Sequence, residues 1–156
     1  MDPGESSTWT ADWAWGLPLI VVNSVVHVLG LGLISERVMR RLESVLEHRH
    51  FLPLFAVAMS VMILLATLLH ALEAILWAAA YLLLGAVPDV RSAMLYSLSA
   101  LTTYGHTRVV LAPHWRMMGA LEALNGIVLF GLTTAFLFAM IQQVRPLGRR
   151  DRHPRP

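Results

Sequence analysis

The sequence contains no cysteine and no lysine, and charged residues of any kind are scarce. Without cysteine, the chain can form neither a disulfide framework nor a metal site with thiolate ligands. Charged residues make up 14% of the chain, whereas a soluble domain usually carries about a quarter. Hydrophobic residues make up 56%, and the mean hydropathy is +0.61. This composition predicts a membrane protein.

Basic residues are missing from the beginning of the chain and concentrated elsewhere. The first 15 residues contain three acids and no arginine, so the basic region of a cleavable signal peptide is lacking and we expect none. Arginines instead follow the first apolar segment and crowd residues 145–156. Because arginine-rich flanks stay in the cytoplasm, we expect a multi-pass protein of the plasma membrane with its N-terminus outside and its C-terminus inside. The Arg-rich tail, residues 146–156, would then meet anionic lipid head groups.

Three apolar segments are long enough to span a bilayer. The first runs from Gly16 to Ile34 and the third from Trp115 to Val144, and at about 1.5 Å per helical residue each approaches or exceeds a hydrocarbon core about 30 Å thick. The second, Phe51 to Val87, is longer than one perpendicular crossing needs, so it must tilt, bend or leave the membrane. Trp77 and Tyr81 are expected at its far interface, where amphipathic rings are favoured.

The polar residues around the first span predict two flanking segments. Residues 1–15 indicate a short polar tail that ends in interfacial tryptophans. The segment Ser35–His50 repeats Val38, Leu42 and Leu46 at helical spacing between arginines and glutamates, which predicts an amphipathic helix on the cytoplasmic membrane surface. Residues 1–50 therefore comprise a tail, the first transmembrane helix and a cytoplasmic amphipathic helix.

A short helix and an irregular loop are predicted between the second and third spans. Gly85 and Pro88 end the second segment, and Asp89 is placed to cap a helix over Val90–Leu101. The loop that follows, LTTYGHTR, is rich in threonine and contains one glycine. Nonhelical backbone at membrane depth is tolerated only where protein or water covers it. Such a loop is therefore typical of the lining of an aqueous pore.

This loop resembles the filter motif TTLGYGD of the potassium-channel superfamily. The resemblance extends from Leu65 to Gln142 through the stretches HALEAILWAAAYLLLGAVPD, SALTTYGH and ALEALNGIVLFGLTTAFLFAMIQ, and the chain is similar to bacterial ion-channel-like proteins of that superfamily. The resemblance implies an all-α membrane protein with three transmembrane helices, a re-entrant pore helix and a filter loop. The pore domain it implies is residues 51–145. One loop per chain implies a homotetramer. The filter implied by the resemblance consists of Thr102, Thr103, Tyr104, Gly105, His106, Thr107 and Arg108.

Substitutions in the outer part of the loop leave alternatives open. Arg108 stands where the motif has an acid. It folds back onto Asp89 or Glu122, or it makes a pore mouth that is electropositive and discourages cations or admits anions, or it is simply solvated. His106 either points behind the filter or forms a ring of imidazoles that titrates near neutral pH or binds a divalent metal. Thr107 replaces a glycine and, being β-branched, adopts a positive φ only at a cost.

Tyr104 and several residues near the loop each have alternative roles. Tyr104 either packs against the pore helix or narrows the pore axis. Glu122 is expected to support the filter from behind through Arg108, Thr102 or Tyr104, and Asp89 is a second expected support. A polar and apolar stripe on the third span either lines the cavity and gate or makes ordinary helix contacts, and its glycine serves either packing or gating flexibility. The stripe consists of Asn125, Gly126, Leu129, Thr133, Phe136 and Met140.

Ionisable residues elsewhere in the spans are expected to have structural roles, because such groups are costly in a membrane and face protein or water. His70 and Glu73 lie three residues apart on one helical face, which predicts a local pair. Asn23, Ser24 and His27 form a polar patch that predicts contacts between helices.

The sequence thus predicts a tetrameric, potassium-channel-like pore that passes monovalent cations, K⁺ or Na⁺, with weak or altered potassium selectivity. A non-conducting or regulatory relative with a collapsed filter is the alternative, and an anion-permeable pore is a third option. We expect neither an enzyme, nor a bound cofactor or metal, nor a nucleic-acid partner. The expected partners are further copies of the chain and membrane lipids.

Overall fold

A computed structural model describes residues 3–46, 51–105 and 108–144, with side chains for residues 9–42, 52–105 and 108–144. Four α-helices occur in these ranges: α1, Pro3–Leu46; α2, Phe51–Leu83; α3, Val90–Leu101; and α4, Arg116–Val144. A single 3₁₀ turn, Pro113–Trp115, precedes α4. The described residues contain no strand, which confirms the all-α prediction.

Three of these helices are long and apolar enough to cross a membrane. The candidate spans are Trp9–Leu42, Leu52–Leu83 and Pro113–Val144, and an 18-residue stretch within each has a mean hydropathy of 2.2, 2.5 and 2.0, respectively. Each contains at least 32 residues, which at about 1.5 Å per residue exceeds a hydrocarbon core about 30 Å thick. Their number agrees with the three predicted spans, and their length and composition indicate a membrane protein.

The first helix differs from the prediction at both of its ends. Instead of a polar tail, a span and a separate surface helix, the structure has one helix over Pro3–Leu46. Its continuity has a local cause, because the sequence from Ile34 to Leu46 contains neither glycine nor proline. An ion pair between Glu36 and Arg40, one turn apart, also favours helix there. Residues 47–50 of the predicted surface helix lie outside the described residues.

Helix α2 ends where the sequence predicts a break. Gly85 has a φ of +63°, a left-handed conformation that glycine adopts without Cβ strain. The amide of Ala86 donates to the carbonyl of Tyr81 over 2.8 Å, which satisfies one of the carbonyls left free at the helix end. The Ala86 carbonyl in turn accepts from the Ala112 amide at 3.0 Å. The turn before α3 is thereby tied to the segment that precedes α4.

The chain divides into two compact units. Among the described residues, the first contains residues 3–27 together with those of His70–Phe130, and the second contains those of Val28–Leu69 together with residues 131–144. Burial of apolar area is the main favourable term within each. The core of the first unit consists of Trp77, Ala78, Tyr81, Ala86, Val87, Ala93, Leu111, Met118 and Leu121. A smaller cluster in the second unit consists of Leu42, Ala58 and Val144.

Candidate functional site

Helix α3 begins at a capped N-terminus. Asp89 has extended backbone angles, its Oδ1 accepts from the Ser92 amide at 2.9 Å, and its Oδ2 accepts from the Ser92 hydroxyl at 2.7 Å. These hydrogen bonds hold the pKa of the exposed Asp89 carboxyl below its usual value. The predicted N-cap is confirmed, and both carboxylate oxygens of Asp89 are engaged on α3 itself.

A buried serine fixes the middle of α3 to both neighbouring helices. The Ser97 hydroxyl shares its proton between the carbonyl oxygen of Ala74 in α2, 2.8 Å away, and Oε1 of Glu122 in α4, 2.5 Å away. The other carboxylate oxygen, Oε2, accepts from the Tyr81 hydroxyl at 2.6 Å. Glu122, Tyr81 and Ser97 are all fully buried. We call these three residues the anchor cluster.

The anchor cluster gives Glu122 different partners from those predicted. Its hydrogen bonds run to Tyr81 and Ser97 rather than to Arg108, Thr102 or Tyr104, so it reaches the loop only through α3. Sequence analysis missed Tyr81 as a partner, since no spacing rule connects positions 41 residues apart.

Two aromatic residues of α2 are buried within the chain. Trp77 and Tyr81, expected at a membrane interface, are both fully buried. Tyr81 meets the ring of Tyr96 edge-on at 5.4 Å, an arrangement that aromatic pairs favour. Both rings belong to the core of the first unit, and their interfacial position stays a prediction.

The C-terminal end of α3 lies directly against α4 at Gly126. A Cβ added to Gly126 would overlap the carbonyl oxygen of Leu101 and lie 2.8 Å from its carbonyl carbon. Gly119 is in a similar position, because a Cβ there would overlap the hydroxyl of Tyr96. These contacts support the packing role for Gly126.

The remaining residues of the stripe on α4 make contacts within the chain. A residue that lines a central cavity of an oligomer would be exposed in a single chain. Asn125, Leu129, Thr133 and Met140 are instead buried, and Phe136 is half-buried. The geometry therefore favours ordinary helix contacts over cavity lining. Several other α4 side chains are exposed and apolar, and sequence analysis did not select them: Leu124, Ile127, Val128, Leu132 and Phe138.

The first half of the loop folds back over the end of α3. Thr102 is the helix C-cap, and its hydroxyl donates to the Leu98 carbonyl at 2.6 Å. The amide of Thr103 donates to the Ala100 carbonyl and that of Gly105 to the Ser99 carbonyl, at 2.9 and 3.3 Å. Both residues have positive φ, +56° for Thr103 and +67° for Gly105. Thr103 therefore adopts a conformation that is costly for a β-branched residue.

Two of the outer loop residues are exposed, which fits one or more of the alternatives left open for each. Tyr104 is 65% exposed. Arg108 is exposed and forms no ion pair with any residue that the structure describes, while Asp89 and Glu122 are engaged elsewhere. His106 and Thr107 lie outside the described residues, so the predictions for them are not addressed. Beyond the loop, Leu111 returns to the core of the first unit.

Three ionisable residues meet at a second place in the first unit. His70 Nδ1 lies 2.8 Å from Glu73 Oε2, which confirms the predicted local pair. His27 Nδ1 lies 2.7 Å from Glu73 Oε1, so His27 makes the contact between helices that its polar patch predicts. Asn23 is buried, but its side chain has no hydrogen-bond partner among the residues whose side chains are described.

Comparisons of the chain with protein-family models, curated protein sequences and solved structures found no significant match. The resemblance to the potassium-channel superfamily thus rests on the loop and its neighbouring segments alone. Function is inferred from the geometry of those residues.

Proposed function

We propose that this chain is one subunit of a homotetrameric, potassium-channel-like membrane pore that passes monovalent cations with weak preference for potassium. One observation carries the proposal. A capped helix of 12 residues, α3, lies between two helices long enough to span a membrane, and an irregular, exposed loop follows it. At about 1.5 Å per residue, α3 is about 18 Å long, too short to cross a hydrocarbon core about 30 Å thick. It is suited to enter a membrane and return.

The polarity of α3 fits a cation pathway. A helix carries a partial negative charge at its C-terminal end, and that end of α3 precedes Thr102–Gly105. The anchor cluster attaches α3 to α2 and α4 through buried hydrogen bonds. A short helix held in this way keeps a fixed direction, so the negative end of its dipole stays pointed toward the loop.

The loop itself supports assembly with further copies. Thr102, Thr103, Tyr104 and Gly105 are all exposed in the single chain, and backbone at membrane depth needs protein or water to cover it. Leu95 and Leu98 on α3 are also exposed. Copies of the chain around a central axis would cover these apolar residues and leave the loop facing water.

Two features of the loop support weak rather than strong potassium preference. A potassium filter replaces the ion's hydration shell with rings of carbonyl oxygens. In this chain the amides of Thr103 and Gly105 bond back to α3, so Thr102 and Thr103 form a turn around the helix end rather than an extended segment with a row of carbonyl oxygens. Arg108 is exposed and opposes cations at the entrance.

One observation favours a second candidate, a non-conducting relative of such channels. Tyr104 is 65% exposed at the turn after α3. In a four-fold assembly its ring is large enough to occlude a narrow axis, and the protein would then act through assembly with partners rather than through ion flux.

Ion flux into liposomes containing the purified protein tests the proposal. We expect potassium and sodium gradients to dissipate at similar rates and a chloride gradient to persist. Arg108→Asp should raise cation flux, and more so at low salt, because screening weakens an exposed charge over a Debye length of about 10 Å at 0.1 M. Arg91→Gln, which removes an exposed arginine outside the loop, is the matched control and should change little.

The other outcomes of this experiment are distinct. Absence of flux for every ion would favour the non-conducting candidate, and chloride flux would favour an anion pore. A strong preference for potassium over sodium in the unmodified protein would contradict the weak selectivity proposed.

A further inference from the structure

Two imidazoles and one carboxylate converge in the interior of the first unit. His27 comes from α1, and His70 and Glu73 come from α2 on adjacent turns of one face. All three residues are buried. Glu73 lies between the rings, with His27 Nδ1 2.7 Å from Oε1 and His70 Nδ1 2.8 Å from Oε2. The two ring centroids are 5.2 Å apart.

The donor set suits a borderline-soft divalent metal ion. Two imidazole nitrogens with one carboxylate form a ligand set for Zn²⁺ and related transition metals, with bonds of about 2.0–2.2 Å. One ligand atom from each of the three residues lies within 4.8 Å of the others. Two ligand atoms bound to the same ion lie at most about 4 Å apart. Small rotations of the rings therefore suffice to bring all three ligand atoms within bonding distance of one ion.

Packing around the cluster orients one ligand and leaves a path to it. The ring of His70 stacks on Phe130 of α4, with centroids 4.2 Å apart and planes inclined by 25°. This stacking restricts the orientation of the His70 ring. The His70 side chain is 11% exposed, whereas those of His27 and Glu73 are fully enclosed. An ion would therefore arrive on the His70 side.

We propose that His27, His70 and Glu73 form a binding site for one divalent transition-metal ion of the Zn²⁺ type, which joins α1 to α2. A water molecule completes the four-fold coordination. In the hydrogen-bonded geometry a carboxylate only accepts, so each Nδ1 carries a proton. Metal binding requires the Nδ1 lone pairs and moves those protons to Nε2. The site depends on neither the loop nor oligomerisation and is independent of the proposed pore.

Metal titration of the chelator-treated protein, purified without a histidine tag, tests the site. We expect calorimetry with Zn²⁺ to show one tight site per chain. His27→Gln and Glu73→Gln should each weaken that site more than tenfold, because the loss of a mere hydrogen-bond partner of a metal ligand already costs about 10–100-fold. His114→Gln removes an exposed histidine outside the cluster and is the matched control, so it should leave the affinity unchanged.

A measurement on the unmodified protein separates metal binding from misfolding of a variant. X-ray absorption of the zinc-loaded protein should show nitrogen and oxygen ligands only, including two imidazoles, and Co²⁺ should give the visible bands of a four-coordinate site. The proposal would be overturned if the protein bound no zinc or if the bound zinc lacked two imidazole ligands. It would also be overturned if zinc binding survived both His27→Gln and Glu73→Gln. The cluster would then be a hydrogen-bonded contact between α1 and α2 only.

Discussion

At the scale of single residues, the absence of one Cβ atom sets how closely α3 approaches α4. Gly126 faces the backbone of Leu101 rather than a side chain, and backbone cannot move aside by a change of rotamer. Gly131, five residues further along the same helix, has no described atom beyond its chain neighbours and the adjacent helix backbone within 4 Å of the position a Cβ would take. The two glycines therefore form a natural comparison.

Gly126→Ala should destabilise the protein and Gly131→Ala should not. Overpacking of a tight contact costs about 1–3 kcal/mol, whereas alanine in place of glycine at an open helical position gains up to about 1 kcal/mol. The measurement is the free energy of unfolding in mixed micelles. Equal effects of the two substitutions would show that α3 does not contact Gly126.

The hydrogen bonds of the anchor cluster should behave as one unit. Ser97→Ala and Tyr81→Phe each leave an oxygen of the buried Glu122 without its donor, at a cost of about 1–3 kcal/mol. Because both act on the same carboxylate, the double variant should differ from the sum of the single variants by at least about 0.5 kcal/mol. Tyr81→Phe combined with Gly131→Ala is the control pair and should be additive. Additivity in both pairs would refute the shared role of Glu122.

At the scale of secondary structure, the sequence carries strong signals for α3 and weak ones for α1. Pro88, Asp89 and the threonines after Leu101 bracket Val90–Leu101, and the structure begins and ends the helix at those residues. The division of α1 was wrong because polarity at Ser35 was interpreted as a boundary, although no helix breaker occurs there. A change of environment along a helix does not require a break in its backbone.

The N-cap of α3 should make its stability depend on pH. Hydrogen bonds from Ser92 lower the pKa of Asp89 in the folded protein, so Asp89 contributes stability above the unfolded pKa of about 3.9. This contribution is lost as the pH falls through the lower, folded pKa. Asp89→Ala should therefore lower the thermal midpoint at neutral pH, and the difference from the unmodified protein should shrink in strong acid.

Asp89→Asn separates capping from charge. Asparagine caps helices about as well as aspartate but does not titrate, so it should retain most of the neutral-pH stability without the loss in acid. The thermal midpoints of Asp89→Ala and the unmodified protein are compared across the acid range. A difference that stays constant as the pH falls would contradict this explanation.

The anchor cluster shows which part of the site was beyond sequence analysis. Glu122 was recognised as an intramembrane acid with a supporting role, yet its partners depend on how α2, α3 and α4 pack. Tyr81 and Ser97 lie 41 and 25 residues from Glu122, and no local periodicity connects such positions. Asp89, by contrast, accepts hydrogen bonds from Ser92, three residues away in the sequence. Local helix-capping chemistry was therefore sufficient to predict that Asp89 caps α3.

At the scale of the whole molecule, the proposed pore requires several copies of the chain, because each chain supplies one loop. We expect native mass spectrometry in mild detergent to give a tetramer of the 17.3 kDa chain. The exposed apolar side chains of α3 and the need to cover the loop at membrane depth are the physical reasons. A stable monomer or dimer under conditions that preserve the fold would argue against a four-fold pore.

In the proposed pore, α3 and its loop enter the membrane and leave it on the same side. The natural absence of cysteine makes single-cysteine labelling in intact cells the most direct measurement. Arg91→Cys in α3 and His114→Cys before α4 are both exposed positions, and we predict that a membrane-impermeant thiol reagent labels both from outside. Arg37→Cys, on the expected cytoplasmic flank, should label only after permeabilisation. Labelling of positions 91 and 114 from opposite sides would contradict the account.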